Sequence, residues 1–158
     1  MDAFDHILNW RLRQGSHQFP GPEGGTCINE AALVAMGFEY SPIVASWQMP
    51  DCFSRPICRF AMWLNDHAGD EGRQLLLPFV TRLACADTPE VEREREAYIQ
   101  SQMVKGGLTM RRGIEILKGA LAIGRQADPL TAEIARVRLE AAKSKARVTA
   151  RKMLEPAD

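Results

Sequence analysis

Gly24-Gly25-Thr26-Cys27-Ile28-Asn29-Glu30-Ala31-Ala32 is the stretch on which the architecture of this chain turns. A glycine pair does not sustain a regular element, and Thr26 beyond it suits a helix N-cap. The spacing predicts a helix over Cys27–Met36, stopped by Gly37. Ile28, Ala31, Ala32 and Ala35 give that helix a face of small residues, against which a neighbouring helix can lie close.

Two chemistries compete at the start of this helix. Glycines entering a helix expose backbone N–H groups, and the helix dipole adds partial positive charge, so an anion or a thiolate is favoured there. Cys27 sits in that field, which lowers a thiol pKa, and Glu30 follows three residues on as a base or ligand. The plainer alternative is architectural. The glycines make the turn, Thr26 caps, Cys27 packs, and Glu30 complements the helix N-terminus. A carboxylate beside the thiol opposes thiolate formation, so the architectural alternative leads.

A thiol enzyme needs partners: a Cys/His pair oriented by an amide or carboxylate is the general arrangement. His17 in the preceding loop, Cys52 and Ser54 before the next helix, and Asn65-Asp66 at that helix's end are available. The candidate catalytic set is therefore Cys27, Glu30, His17 and Asp66, with Gly24 and Gly25 as candidate binding residues at the anion-favouring turn. Zinc sites show close Cys or His pairs, whereas Cys52 and Cys58 have five residues between them and no second pair exists. No metal and no cofactor is expected. Nor is there a Walker-type loop, a dinucleotide-binding glycine triplet or an HExxH sequence.

Outward from this centre the chain reads as all-α, with one exception. A helix is expected over Ala3–Gln14, carrying Phe4, Ile7, Leu8 and Leu12 on one stripe and ended by Gly15. The β-branched and aromatic residues of Phe38–Trp47 suggest a short strand or β-hairpin at 38–47. Ser54 and Pro56 begin a helix to His67, and a further helix after Asp70 is kinked or split by Pro78. Thr88-Pro89 starts a charged helix to Val104, and Lys105-Gly106-Gly107 breaks it. Thr109 opens a helix to Arg125, and Asp128-Pro129 another that reaches towards Leu154. The expected fold is one compact helical unit ending in a helical hairpin.

Charge divides the chain at the same break. Residues 1–104 hold 8 Lys/Arg against 14 Asp/Glu, and residues 105–158 hold 12 against 6. An acidic, motif-bearing core (1–104) thus precedes a basic hairpin (105–158). Arg136, Lys143, Arg147 and Arg151 recur at helical spacing and are the candidate binding residues of that hairpin, for a protein partner or nucleic acid. The tail has no aromatic residue to stack on bases, which argues against single-strand recognition. A solvated basic face, or one docked on the acidic Glu90–Glu96 stretch, is the plainer alternative. Leu130, Ile134, Val137, Ala141, Ser144 and Val148 recur at spacings of four and three, a seam for a partner helix or a second copy of the chain.

With 46% apolar residues and no net charge, a folded domain is expected rather than disorder. No apolar run approaches the roughly 20 residues that span a bilayer. The acidic N-terminus lacks a signal-peptide pattern, so a cytoplasmic setting with reduced cysteines and no membrane partner is expected.

Gly15-Ser16-His17, Cys27-x-x-Glu30-Ala31, Cys52-x-Ser54-x-Pro56 and Leu64-Asn65-Asp66, in that order, resemble an uncharacterised protein family of bacterial and phage genomes. That family has a glycine-flanked Cys-x-x-Glu-Ala helix, a Cys/Pro turn and a Trp- or Leu-Asn-Asp helix end. The resemblance covers about residues 15–90 and leaves the basic hairpin outside. It implies a phage or mobile-element setting and brings no catalytic mechanism. Ser54 stands where those relatives often carry a second cysteine, which counts further against zinc. Three functions emerge: a small binding protein, an enzyme built on Cys27, and an oligomerisation module.

Overall fold

Helix starts in this chain are written by their caps. The computed structural model describes residues 11–17 and 25–154. Within them lie six α-helices and no strand: α1 (Ile28–Ala35), α2 (Arg55–His67), α3 (Asp70–Gln74), α4 (Pro89–Met103), α5 (Met110–Leu121) and α6 (Ala132–Leu154). Short 3-10 turns sit at Ser46–Gln48 and Leu77–Arg82. The Thr88 and Thr109 hydroxyls accept from the Val91 and Arg112 N–H groups, while Pro56 and Pro89 occupy first turns. Pro78 has no N–H to continue α3, so the chain passes into the tighter Leu77–Arg82 turn. Gly106 breaks the chain between α4 and α5 with a φ of 95°.

Three expectations are corrected. Residues 38–47 form no strand or hairpin. The Ile43 N–H goes to Glu30, and those of Val44 and Ala45 go to the Gln48 side chain, so none is left for a neighbouring strand. Of the expected helix Ala3–Gln14, Ala3–Trp10 lie outside the described residues and Arg11–Gln14 are not helical. Leu12 instead forms an isolated parallel bridge with Thr26, through Arg13 N to Thr26 O (2.9 Å) and Thr26 N to Arg11 O (3.2 Å). The Gln74 side chain clasps both polar groups of the Leu12 backbone. The extended backbone buries Leu12 and turns Arg11 and Arg13 outward, an alternation a helix does not give. Finally, α6 begins at Ala132 rather than at Pro129, because the Thr131 hydroxyl takes the Ile134 N–H at 3.3 Å.

α1 is the centre of the molecule, and all eight of its residues are buried. It packs on α2, on the Leu77–Arg82 turn and on α6. α2 continues the core to α4 and α5, with Gly113 of α5 seated on Leu64 where a Cβ would collide. The two C-terminal helices rest on different supports: α5 on α2 and α4, α6 on α1. Sequence patterning gave no sign of two buried arginines. Arg95, fully buried, donates to Ile123 O (2.9 and 2.7 Å), Cys85 O (2.8 Å), Arg125 O (2.9 Å) and Glu92 (2.8 Å), closing the C-terminal end of α5. Arg73 does the same beyond α2, donating to Asn65 O (2.6 Å) and Ala68 O (2.6 Å). Cations at helix C-termini complement both the unpaired carbonyls and the dipole. Among the described residues, no helix is long and apolar enough to cross a membrane.

Candidate functional site

Cys27, one residue after the expected Thr26, is the N-cap of α1. Its Sγ accepts the Glu30 N–H at 3.5 Å, and Glu30 Oε2 accepts the Cys27 N–H at 3.0 Å. Cys-x-x-Glu is therefore a capping box with sulfur in place of the usual hydroxyl. Thr26 is displaced from the cap because its backbone bridges to Leu12 and its hydroxyl donates to Glu30 Oε2 at 3.1 Å.

Glu30 has no exposed surface, and its carboxylate gathers donors from three loops. Oε1 receives the Ser16 hydroxyl (2.8 Å), the His17 N–H (2.9 Å) and the Ile43 N–H (3.1 Å). Oε2 receives Thr26 and Cys27, with the Tyr40 hydroxyl at 3.0 Å. Tyr40 also reaches His17 O at 2.8 Å, so its single hydrogen is shared between the two acceptors. A second strand of the network continues to α2. Asn65 accepts from Ile28 N–H (3.3 Å) and donates to Arg13 O (2.8 Å), and Asp66 Oδ1 accepts from Gly15 N–H (2.9 Å). The sequence candidates His17, Cys27, Glu30 and Asp66 thus converge in one network, joined by Ser16, Tyr40 and Asn65.

Electrostatics follow from the partners. Burial alone would raise the Glu30 carboxyl, but the N–H groups of Cys27, His17 and Ile43 and the Ser16 hydroxyl outweigh it and hold the pKa below the usual range. Burial, and then the Glu30 charge, push the Cys27 thiol far up, so it stays protonated at neutral pH. Burial likewise dominates in raising the Tyr40 phenol. A carboxylate has about four acceptor positions, and here six donors compete for them. Among the described donors Glu30 has no lone pair to spare for a substrate proton, and burial with the Glu30 charge outweighs the N–H groups that would favour a thiolate at Cys27. The anion that the helix N-terminus favours is present, and it is Glu30 itself.

The remaining candidates disperse. Gly24 lies outside the described residues. Gly25 carries the stem of Arg13 against its Cα, where a Cβ would collide. Ser54 is at the far end of α2, donating to Glu92 at 2.6 Å. Cys58 and Cys85 are buried and Cys52 is exposed, and each is a free thiol. Among the described residues, no three His, Cys, Asp or Glu side chains are grouped to hold a metal ion.

α6 is built differently. Ala135 is buried and Ala142 is packed against the core, Arg138 donates to Ala35 O at 3.0 Å, and Lys145 lies 3.7 Å from Glu39. About 100° around the helix runs the predicted seam. Ile134, Val137 and Val148 there are 44%, 60% and 54% exposed, with Ala141 and Ser144 exposed between them. Arg136 and Arg151 are exposed, while the side chains of Lys143 and Arg147 lie outside the described residues. The acidic helix α4 packs on α2 and α5, and its Glu96 pairs with Arg59 at 3.1 Å.

No family model, curated protein or solved structure matches the chain. Its function is therefore argued from its own surfaces.

Proposed function

We propose that this chain is a small helical interaction protein that presents α6 to an acidic, amphipathic protein partner. The resemblance of residues 15–90 favours a phage or mobile-element setting. The observation that carries the proposal is the α6 stripe of Ile134, Val137 and Val148, left in water beside Arg136 and Arg151. Burying such side chains is worth about 1.5–3 kcal/mol each when complete, and a buried fraction is still available to a partner. A phosphate backbone calls for the cations and makes no use of the stripe, which is why a protein partner is preferred to nucleic acid. The Cys27 enzyme finds no support in a protonated, buried thiol.

The test uses two variants of the whole chain in bacterial extract, with and without nuclease treatment. One carries Ile134→Asp and Val137→Asp, the other reverses the charge of Arg136, Lys143, Arg147 and Arg151. The expected result is a protein held by the wild type at low salt, released at high salt and lost by both variants. Retention by both, or captured material that vanishes with nuclease, overturns the proposal.

A second possibility has its own observation. Glu133 and Glu140 precede Arg138 and Lys145 by five residues, the spacing of cross-strand pairs in a parallel two-helix coil. Self-association through the stripe would appear in sedimentation as a dimer abolished by Val137→Asp.

A further inference from the structure

A groove of about 580 Å³ lies between the turn at Ser46–Gln48 and the outer face of α2. Val44 and Trp47 line it from the turn. Arg55, Arg59 and Met62 line it from α2, at the four- and three-residue spacing of one helix face. We infer that this groove docks a short segment of a partner protein in which a large apolar side chain stands beside a single Asp or Glu.

The apolar side is the first ground. Trp47 is 73% exposed and Val44 69%, although the turn that carries them is braced. The Gln48 side chain takes the Val44 and Ala45 N–H groups (2.8 and 2.9 Å), and Arg55 donates to Ser46 O at 2.9 Å. Ile43 and Met49, on either side of the turn, are buried and anchor it in the core. A fixed turn thus holds a tryptophan in water, and covering it carries little ordering cost. Tryptophans so placed contribute more to binding than their share of an interface. Met62, packed against the core from α2, adds a surface that adapts to the side chain laid on it.

Charge is the second ground, and it decides the occupant. The lining holds two guanidinium groups and no carboxylate. Both are already in ion pairs, Arg55 with Asp51 at 3.0 Å and Arg59 with Glu96 at 3.1 Å, and those carboxylates lie outside the groove. Exposed pairs of this kind are worth little in water. A guanidinium also carries five N–H donors, so Arg59, bound to Glu96 through one nitrogen, can hold a second carboxylate. A chain of phosphates would run past Asp51 and Glu96 and be repelled by both, whereas a single carboxylate needs only Arg59. Val44 and Met62 are surfaces for an aliphatic side chain rather than for a stacked base.

The probe is a library of short random peptides, selected on the full-length chain and depleted on Trp47→Ala. Peptides that pair a large apolar residue with Asp or Glu are expected to remain, and the depletion removes any that bind α6. Titrated with the strongest of them, the Trp47 indole N–H resonance should shift to saturation. Replacing the peptide's carboxylate by its amide, or Arg59→Gln in the chain, should weaken binding about tenfold, equivalent to about 1.4 kcal/mol. Val44→Asp should abolish it, whereas Ile134→Asp with Val137→Asp on α6 should leave it unchanged. Trp47 and Val44 are both exposed, so their variants should melt with the wild type. No enrichment over Trp47→Ala, enriched peptides without a carboxylate, or equal binding by Arg59→Gln overturns the inference. So does Trp47-dependent binding of oligothymidylate, or a Trp47-dependent dimer in sedimentation, which would give the groove to nucleic acid or to a second copy. The α6 proposal stands or falls separately.

Discussion

Around Glu30, six donors converge on a carboxylate with no exposed surface, whereas along α6 three large apolar side chains stand about half in water. Each region inverts the usual placement of its residue type, and the two inversions mean different things. A charge is kept inside only where its hydrogen bonds are complete, so the Glu30 network is bracing, tying residues 15–17, 26–27 and 40–43 to α1. Apolar side chains aligned on the outside are the usual mark of a surface that something else covers, and on that the proposal for α6 rests.

The largest effect should come from emptying the network. Glu30→Ala leaves the Cys27, His17 and Ile43 N–H groups and three hydroxyls without their acceptor, and should cost about 4 kcal/mol in urea unfolding. A loss below about 1 kcal/mol would mean that the loops hold themselves and that the network is a passenger.

Acid should give a smaller, graded effect. The folded pKa of Glu30 is depressed, so its contribution is fully present above the unfolded value near 4.5 and is lost as pH falls through the folded one. The urea midpoint of the wild type should therefore drop more steeply below pH 4.5 than that of Glu30→Gln. Parallel curves for the two proteins would remove the ionised carboxylate from the explanation.

The smallest effect belongs to the other region. Ile134→Asp with Val137→Asp should shift stability by less than about 0.5 kcal/mol, read from thermal melts. A larger loss would show that the stripe is packing within the folded chain, and the contrast between the two regions would disappear.

Much of the helical frame could be read directly. Thr88-Pro89 and Thr109 cap where their hydroxyls suggested, Pro78 divides its segment, and Gly106 ends α4's run. These signals are local, and local signals survive folding. Cys27 and Glu30 were visible as a pair, but a three-residue spacing serves a capping box as well as a nucleophile and base. What separates those roles is the number of donors reaching Glu30, and Ser16, Tyr40 and Ile43 arrive from loops whose meeting no spacing announces. Arg95 was hidden for a related reason. In a helix as charged as α4 it reads as solvent-facing, yet its partners are carbonyls 28 and 30 residues further along. At 38–47, β propensity lost to three N–H groups that found side-chain acceptors.

The grip of Arg95 on the Ile123 and Arg125 carbonyls also sets the length of a tether. Only residues 126–131 separate that anchor from the first turn of α6, a leash of about 20 Å at full stretch. If α6 lifts from α1 to meet a partner, it stays close enough to return as an intramolecular event, at an effective concentration in the millimolar range. A partner that used the lifted state would have to outcompete that return, so strengthening the contact of α6 with α1 would lower its affinity, whereas a partner that covers the stripe on the docked helix would be unaffected.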